Sequence, residues 1–140
     1  MADAELVLPM LGVMILTLIV WLWMFVKRFA FISANNIAPD ELKTPEQLNN
    51  KIPATHAGPA NNLKNLFELP VIFYMLCLYL MLSYSVDNID VACAWLFMVF
   101  RAFHSIVHCS YNNVNHRFLM YLISSVALWV MVIRAFAAVF

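Results

Sequence analysis

The sequence predicts an all-α integral membrane protein, a four-transmembrane-helix bundle. Three observations predict it: 64% of the 140 residues are hydrophobic, only 11% are charged, and just two are glycine. Four long apolar runs, 6–31, 66–84, 91–111 and 118–140, each meet or nearly meet the ~20 residues that a helix needs, at ~1.5 Å per residue, to cross a ~30 Å hydrocarbon core. Helices satisfy their own backbone in lipid, and the alternating pattern of a transmembrane β-strand is absent. Residues 1–140 therefore read as a single membrane domain without an internal repeat.

The first run is expected to stay as a spanning helix instead of being cleaved as a signal, because Met1 to Glu5 carries Asp3 and Glu5 and no basic residue. Between runs one and two, the loop 32–62 is the only extended polar stretch. Lys27, Arg28, Lys43, Lys51 and Lys64 cluster in or beside it, which predicts that this side is cytoplasmic. The opposite turn holds Asp87 and Asp90 and no Lys or Arg, so both termini are expected outside. Arg134 is the exception, and ~25 Å of helix beyond Arg117 its long stem is expected to snorkel to the outer interface. Within the loop, Pro39, Pro45, Pro53, Gly58 and Pro59 exclude one continuous helix, whereas Thr44-Pro45-Glu46-Gln47 reads as a capping box that opens a short one. With no retention signal at the C-terminus, a bacterial inner membrane is expected.

The third run carries the most informative residues. Arg101, His104 and His108, at i, i+3 and i+7, fall within an arc of about 60° on one helix face. A charged group near mid-bilayer costs at least ~2.5–3.5 kcal/mol, so such a stripe is expected to face the bundle interior, a partner helix or a wet cavity. It either forms a site or locks helices together as a structural ion pair. On the second helix, Asn61, Asn65 and Glu68 share a face beside Lys64, and Pro70 is expected to kink the helix there. Antiparallel packing puts Glu68 and the stripe in the same half of adjacent helices, so Glu68 is expected to pair with Arg101 or His104. Arg117, Tyr121 and Ser124 share a face on the fourth helix. Three helices then present polar groups at one depth, the makings of an anion pocket at a membrane surface.

In that order, Asn65-x-x-Glu68, Arg101-x-x-His104 and Arg117-x-x-x-Tyr121 on four spanning helices with a polar first loop resemble the membrane-associated proteins in eicosanoid and glutathione metabolism (MAPEG), as a bacterial-type member. The resemblance covers the whole chain. It implies a homotrimer that binds glutathione between subunits on the cytoplasmic side and acts as a transferase or peroxidase on hydrophobic small molecules reaching it through the bilayer. It also implies glutathione binding by Asn65, Glu68 and His104, with Arg101 and His108 in the same stripe and Lys27 or Arg28 gripping a carboxylate. Arg117 is implied as the thiol-activating arginine, with Tyr121 as a phenolic donor. The chain departs from well-known eukaryotic members at His108, where they have tyrosine, and at Lys64, where they have arginine; Phe118 stands where prostaglandin E synthase has a small hydroxyl residue.

Two other readings remain open: a scaffold or accessory protein without catalysis, and a metal site formed by His104 and His108 at i, i+4 with Glu68. His104-Ser-Ile-Val-His108 lacks the glutamate of a zinc protease motif, and no metal is expected. Cys77, Cys93 and Cys109 are isolated in apolar helices and read as small buried hydrophobes. Zero net charge and no basic patch interleaved with aromatics argue against a nucleic-acid partner.

Overall fold

The computed structural model describes residues 5–83 and 85–139, and Asp3 and the helix ends expected at Tyr84 and Phe140 lie outside the described residues. Among the described residues the chain is helical throughout its regular structure: α1 (Val7–Ala34), a 3₁₀ turn (Pro39–Leu42), α2 (Pro45–Lys51), α3 (Gly58–Leu66), α4 (Leu69–Leu82), α5 (Asn88–Cys109) and α6 (Val114–Ala137). Among the described residues, four stretches are long and apolar enough to cross a membrane, Val7–Ala34, Gly58–Leu82, Asn88–Cys109 and Val114–Ala137. The chain is an integral membrane protein.

The helices start earlier than the apolar runs wherever a polar cap precedes them. Asp87 Oδ1 accepts from the backbone N–H groups of Ile89 and Asp90 at 3.0 and 2.9 Å, opening α5. Asn113 Oδ1 accepts from those of Asn115 and His116 at 3.0 and 3.2 Å, opening α6. Hydropathy marks the bilayer, whereas capping marks the helix. The loop's capping box forms as expected, with Thr44 Oγ1 accepting from Gln47 N and Gln47 Oε1 from Thr44 N, both at 3.2 Å. Lys51 pairs with Glu41 across this loop and, with the Ala38 backbone N–H, holds the Glu41 carboxyl below its ordinary range.

The second span is broken between α3 and α4. Phe67 N–H donates back to the Lys64 carbonyl at 3.0 Å, Glu68 takes φ −100° and ψ −104°, and Pro70 lies in the first turn of α4. Proline has no N–H and crowds the carbonyl four residues earlier, so the helix cannot run straight through. α1 packs on α3, α4 and α5; α5 lies along α6; α3 touches α5, and α4 touches α6. Gly58 permits the closest approach, since a Cβ there would meet the His108 carbonyl oxygen at 2.6 Å. Phe73, Cys77 and Leu80 from α4, Ala94 and Phe97 from α5, and Leu128 and Met131 from α6 make the core. Phe73 and Phe97 stack there at 4.3 Å between ring centroids. Trp21, Trp23, Trp95 and Trp129 remain exposed on the outer surface of the bundle, as lipid-facing bulk requires.

At the end remote from the loop, Arg134 is ion-paired with Asp87 and, at 3.4 Å, with Asp90. The two acids that made the turn negative are its partners, a pairing that the expectation of a snorkelling cation did not include. The Asp90 and Ile89 backbone N–H groups and Arg134 hold the Asp87 carboxyl below its ordinary range. A carboxyl depressed in the folded state stabilises fully above its unfolded value, about 3.9 for Asp, and loses that contribution as pH falls through the lowered folded value. Asp87→Asn keeps a capping oxygen but removes the charge. Its thermal midpoint in detergent is expected to fall less than that of the wild type on acidification below about pH 4; parallel curves would show that this carboxylate contributes nothing to the acid transition.

Candidate functional site

The α5 stripe faces inward as its spacing predicts. Arg101, His104 and His108 are 0%, 3% and 5% exposed. Arg101 lies between two rings, its guanidinium carbon 5.4 Å from the Phe97 centroid and 4.7 Å from that of Tyr121. Its three guanidinium nitrogens make no hydrogen bond among the described residues. Cation–π attraction of this kind is worth ~2 kcal/mol when desolvated, which partly offsets the cost of burial.

His104 ties three helices together. The Arg117 backbone carbonyl can only accept, so His104 Nδ1–H donates to it at 3.0 Å. Nε2 is then the acceptor for Asn65 Nδ2 at 3.5 Å. These two bonds fix the tautomer and commit both ring nitrogens.

Glu68 does not pair with Arg101 or His104. It is exposed, and no ion pair forms on it within 4 Å among the described residues. The expected kink forms, but the backbone breaks at Phe67 and Glu68, and the helical arithmetic that put Glu68 on the inward face with Asn65 does not carry across that break. Snorkelling of Arg101 does not close the gap either, because the guanidinium stays packed between aromatic rings.

What the fold does assemble is an open groove of about 310 Å³ at the loop end, lined by Asn61, Lys64, Asn65, Glu68, His108 and Arg117. Arg117 is held at both ends: its carbonyl by His104, and its Nη1 by donation to Asn112 Oδ1 at 2.7 Å. Asn112 takes a left-handed φ of 50° to make the tight turn between α5 and α6, which is what brings its amide back over Arg117. This residue escaped sequence reasoning; the only signal for it is the Asn-Asn pair between two apolar runs. Arg101, His104 and Tyr121 lie a layer beneath the groove, with the Tyr121 ring 5.9 Å from that of His104. Arg28 lines a neighbouring cavity of about 310 Å³ that shares Asn61 and Lys64 with the groove. Lys27 lines a third, of about 480 Å³, that shares His108 with it.

The model of one protein family, the MAPEG family, matches residues 6–137 of this chain. The chain belongs to the MAPEG family. No curated protein and no solved structure matches it. As a MAPEG protein it falls in a family that includes glutathione transferases and peroxidases. Its groove offers two cations, one carboxylate and two carboxamides, and no group of three or more metal-ligating side chains comes together among the described residues.

Proposed function

We propose that this MAPEG protein is a glutathione-dependent transferase or peroxidase acting on lipophilic electrophiles. The observation that carries the reading is the charge pattern of the groove, where Lys64 and Arg117 stand with Glu68 and the Asn61 and Asn65 amides. Glutathione presents the complement: two carboxylates, one ammonium, two peptide groups and a thiol. In this reading Glu68 takes the ammonium, Lys64 one carboxylate as a point charge, and Arg28 the other from the adjoining cavity. Asn65 meets the peptide backbone, oriented by His104. Arg117 faces the thiol. A cysteine thiol has a pKa near 8.5 and only its thiolate is a good nucleophile, so a guanidinium in hydrogen-bond range favours the reactive form. Tyr121 holds Arg101 and His104 from below.

An apolar electrophile reaches the groove from the bilayer, since the bundle's outer surface is apolar around it. We assign the groove to the cytoplasmic face of a bacterial inner membrane with both termini outside, because the basic residues lie at this end. A homotrimer would cover the groove's open side, and mass measurement after detergent correction is expected to give three chains. A monomer or dimer in mild detergent and added lipid would remove the intersubunit closure. Thermal shift tests the ligand class. Glutathione is expected to stabilise by about 2.7 kcal/mol at a hundred times its dissociation constant, S-methylglutathione less at equal concentration, and free glycine not at all. No shift with either tripeptide would leave a membrane protein without this activity, as in the scaffold reading.

A further inference from the structure

Apart from the groove of Glu68 and Arg117, a second groove of about 410 Å³ opens between α5 and α6, lined by Phe100, Phe103, Val107, Tyr111, His116 and Met120. Its size falls in the range of small-molecule sites. Phe103 and Tyr111 are exposed, so it lies on the outer surface of the bundle. Phe100 to Val107 spans ~10 Å of α5, and the groove therefore runs from the α5–α6 turn at the loop end toward the hydrocarbon. Four of its six residues carry rings. Phe100 and Phe103 meet edge to face with centroids 6.1 Å apart, and Tyr111 and His116 do so at 5.8 Å. Aromatic rings and a thioether favour a flat, lipid-soluble occupant over a bare acyl chain.

The polar end is a hydrogen-bonded pair. Tyr111 Oη and His116 Nδ1 lie 3.0 Å apart, in a turn set by the left-handed Asn112 and by Asn113, whose Oδ1 accepts from the His116 backbone N–H at 3.2 Å. The phenol carries one proton and a neutral imidazole one. Their mutual bond uses one of the two. If Tyr111 donates, His116 Nε2–H is left over; if Nδ1–H donates, the Tyr111 O–H is left over. Neither side chain makes a second hydrogen bond among the described residues, so in either tautomer the pair keeps one donor for an outside acceptor. Charge says which acceptor. No Lys, Arg, Asp or Glu lines this groove, and the neighbouring Arg117 gives its Nη1 to Asn112 and lines the other groove. Carboxylate and phosphate heads are gripped best by Arg or Lys, so a neutral carbonyl oxygen is the better match.

We propose that this groove binds a lipid-soluble quinone, its flat ring beside Phe103 and Met120, one carbonyl oxygen accepting from the Tyr111–His116 pair, and its tail passing into the bilayer. The site is one of binding, and no electron transfer is assigned to it. The inference does not rest on the glutathione reading.

Methionine-methyl NMR of the protein in phosphatidylcholine nanodiscs tests it, with the Met120 signal identified by Met120→Leu. A decyl-substituted benzoquinone is expected to shift that signal saturably. Decylbenzene has the flat ring and tail without an acceptor, and decanoate has a charged acceptor without a ring. Each is expected to bind at least about tenfold more weakly, tenfold being about one hydrogen bond. The variants follow from the proton count. Tyr111→Phe leaves the imidazole N–H and His116→Leu leaves the phenol O–H, so each is expected to keep quinone affinity within about threefold, whereas the double variant loses about tenfold. Unmoved signals from the other methionines show that it folds. Decylbenzene binding as tightly as the quinone, or full quinone affinity in the double variant, would overturn the contact with the head and leave an apolar lipid groove. Decanoate binding as tightly would make it a fatty-acyl site instead, and a Met120 signal that the quinone does not move would leave no site.

Discussion

Arg117→Leu is expected to lower glutathione conjugation by about 100-fold while leaving the affinity for glutathione within about threefold, since removing one preorganised donor to a developing anion typically costs 10²–10³ in rate. The asymmetry follows from where Arg117 is held. Its carbonyl is fixed by His104 and its Nη1 by Asn112, leaving further N–H donors of the guanidinium for a ligand in the groove. Grip on the tripeptide's charged ends belongs to Glu68, Lys64 and Arg28 in the proposed reading, so binding survives the loss. A hundredfold corresponds to about 2.7 kcal/mol, or about two pKa units of thiolate stabilisation. Arg117→Lys keeps a charge without the planar fork and is expected to fall between the two. Titrating thiolate absorbance with glutathione bound measures this directly. Equal thiolate pKa values in wild type and Arg117→Leu would reduce Arg117 to an interface anchor.

How far the sequence could be read depended on whether its helices ran unbroken. α5 does, so the helical spacing of Arg101, His104 and His108 translated directly into an inward face. The second span does not, and the same arithmetic failed for Glu68 because the break falls at that residue. Pro70 announced the kink, but not which side chain it would turn outward. Arg134 looked anomalous by charge asymmetry alone; its partners Asp87 and Asp90 are more than forty residues away in sequence and become neighbours only when α5 lies along α6. Helix starts came out late for a related reason, as a hydropathy window has no term for a capping side chain. Asn112 was out of reach because its contribution depends on a left-handed turn that many Asn-Asn pairs do not adopt. Of the spaced pairs that carried the family resemblance, Arg101-x-x-His104 and Arg117-x-x-x-Tyr121 each lie within one unbroken helix, whereas Asn65-x-x-Glu68 spans the break.

The second large effect is expected at His104. His104→Leu removes a donor to the Arg117 carbonyl and an acceptor for Asn65, cutting a tie between α3, α5 and α6 just beneath the groove. Leaving buried polar groups without partners costs about 1–3 kcal/mol each, so a loss of at least about 2 kcal/mol of stability is expected, read as a lower thermal midpoint in detergent. Function should suffer in two ways at once. Asn65 loses its fixed orientation, so KM for glutathione is expected to rise about tenfold, the cost of one imperfect polar contact. Arg117 loses its backbone anchor, so kcat is also expected to fall, though less than in Arg117→Leu, because Asn112 still holds the guanidinium. His104→Asn separates the two: an amide nitrogen can stand in for Nδ1 toward the Arg117 carbonyl but cannot reach Asn65. It is expected to recover kcat while leaving KM raised. If His104→Leu kept wild-type stability and KM, the histidine would not be the strut that these hydrogen bonds describe, and the positioning of Asn65 and Arg117 would have to come from the helices alone.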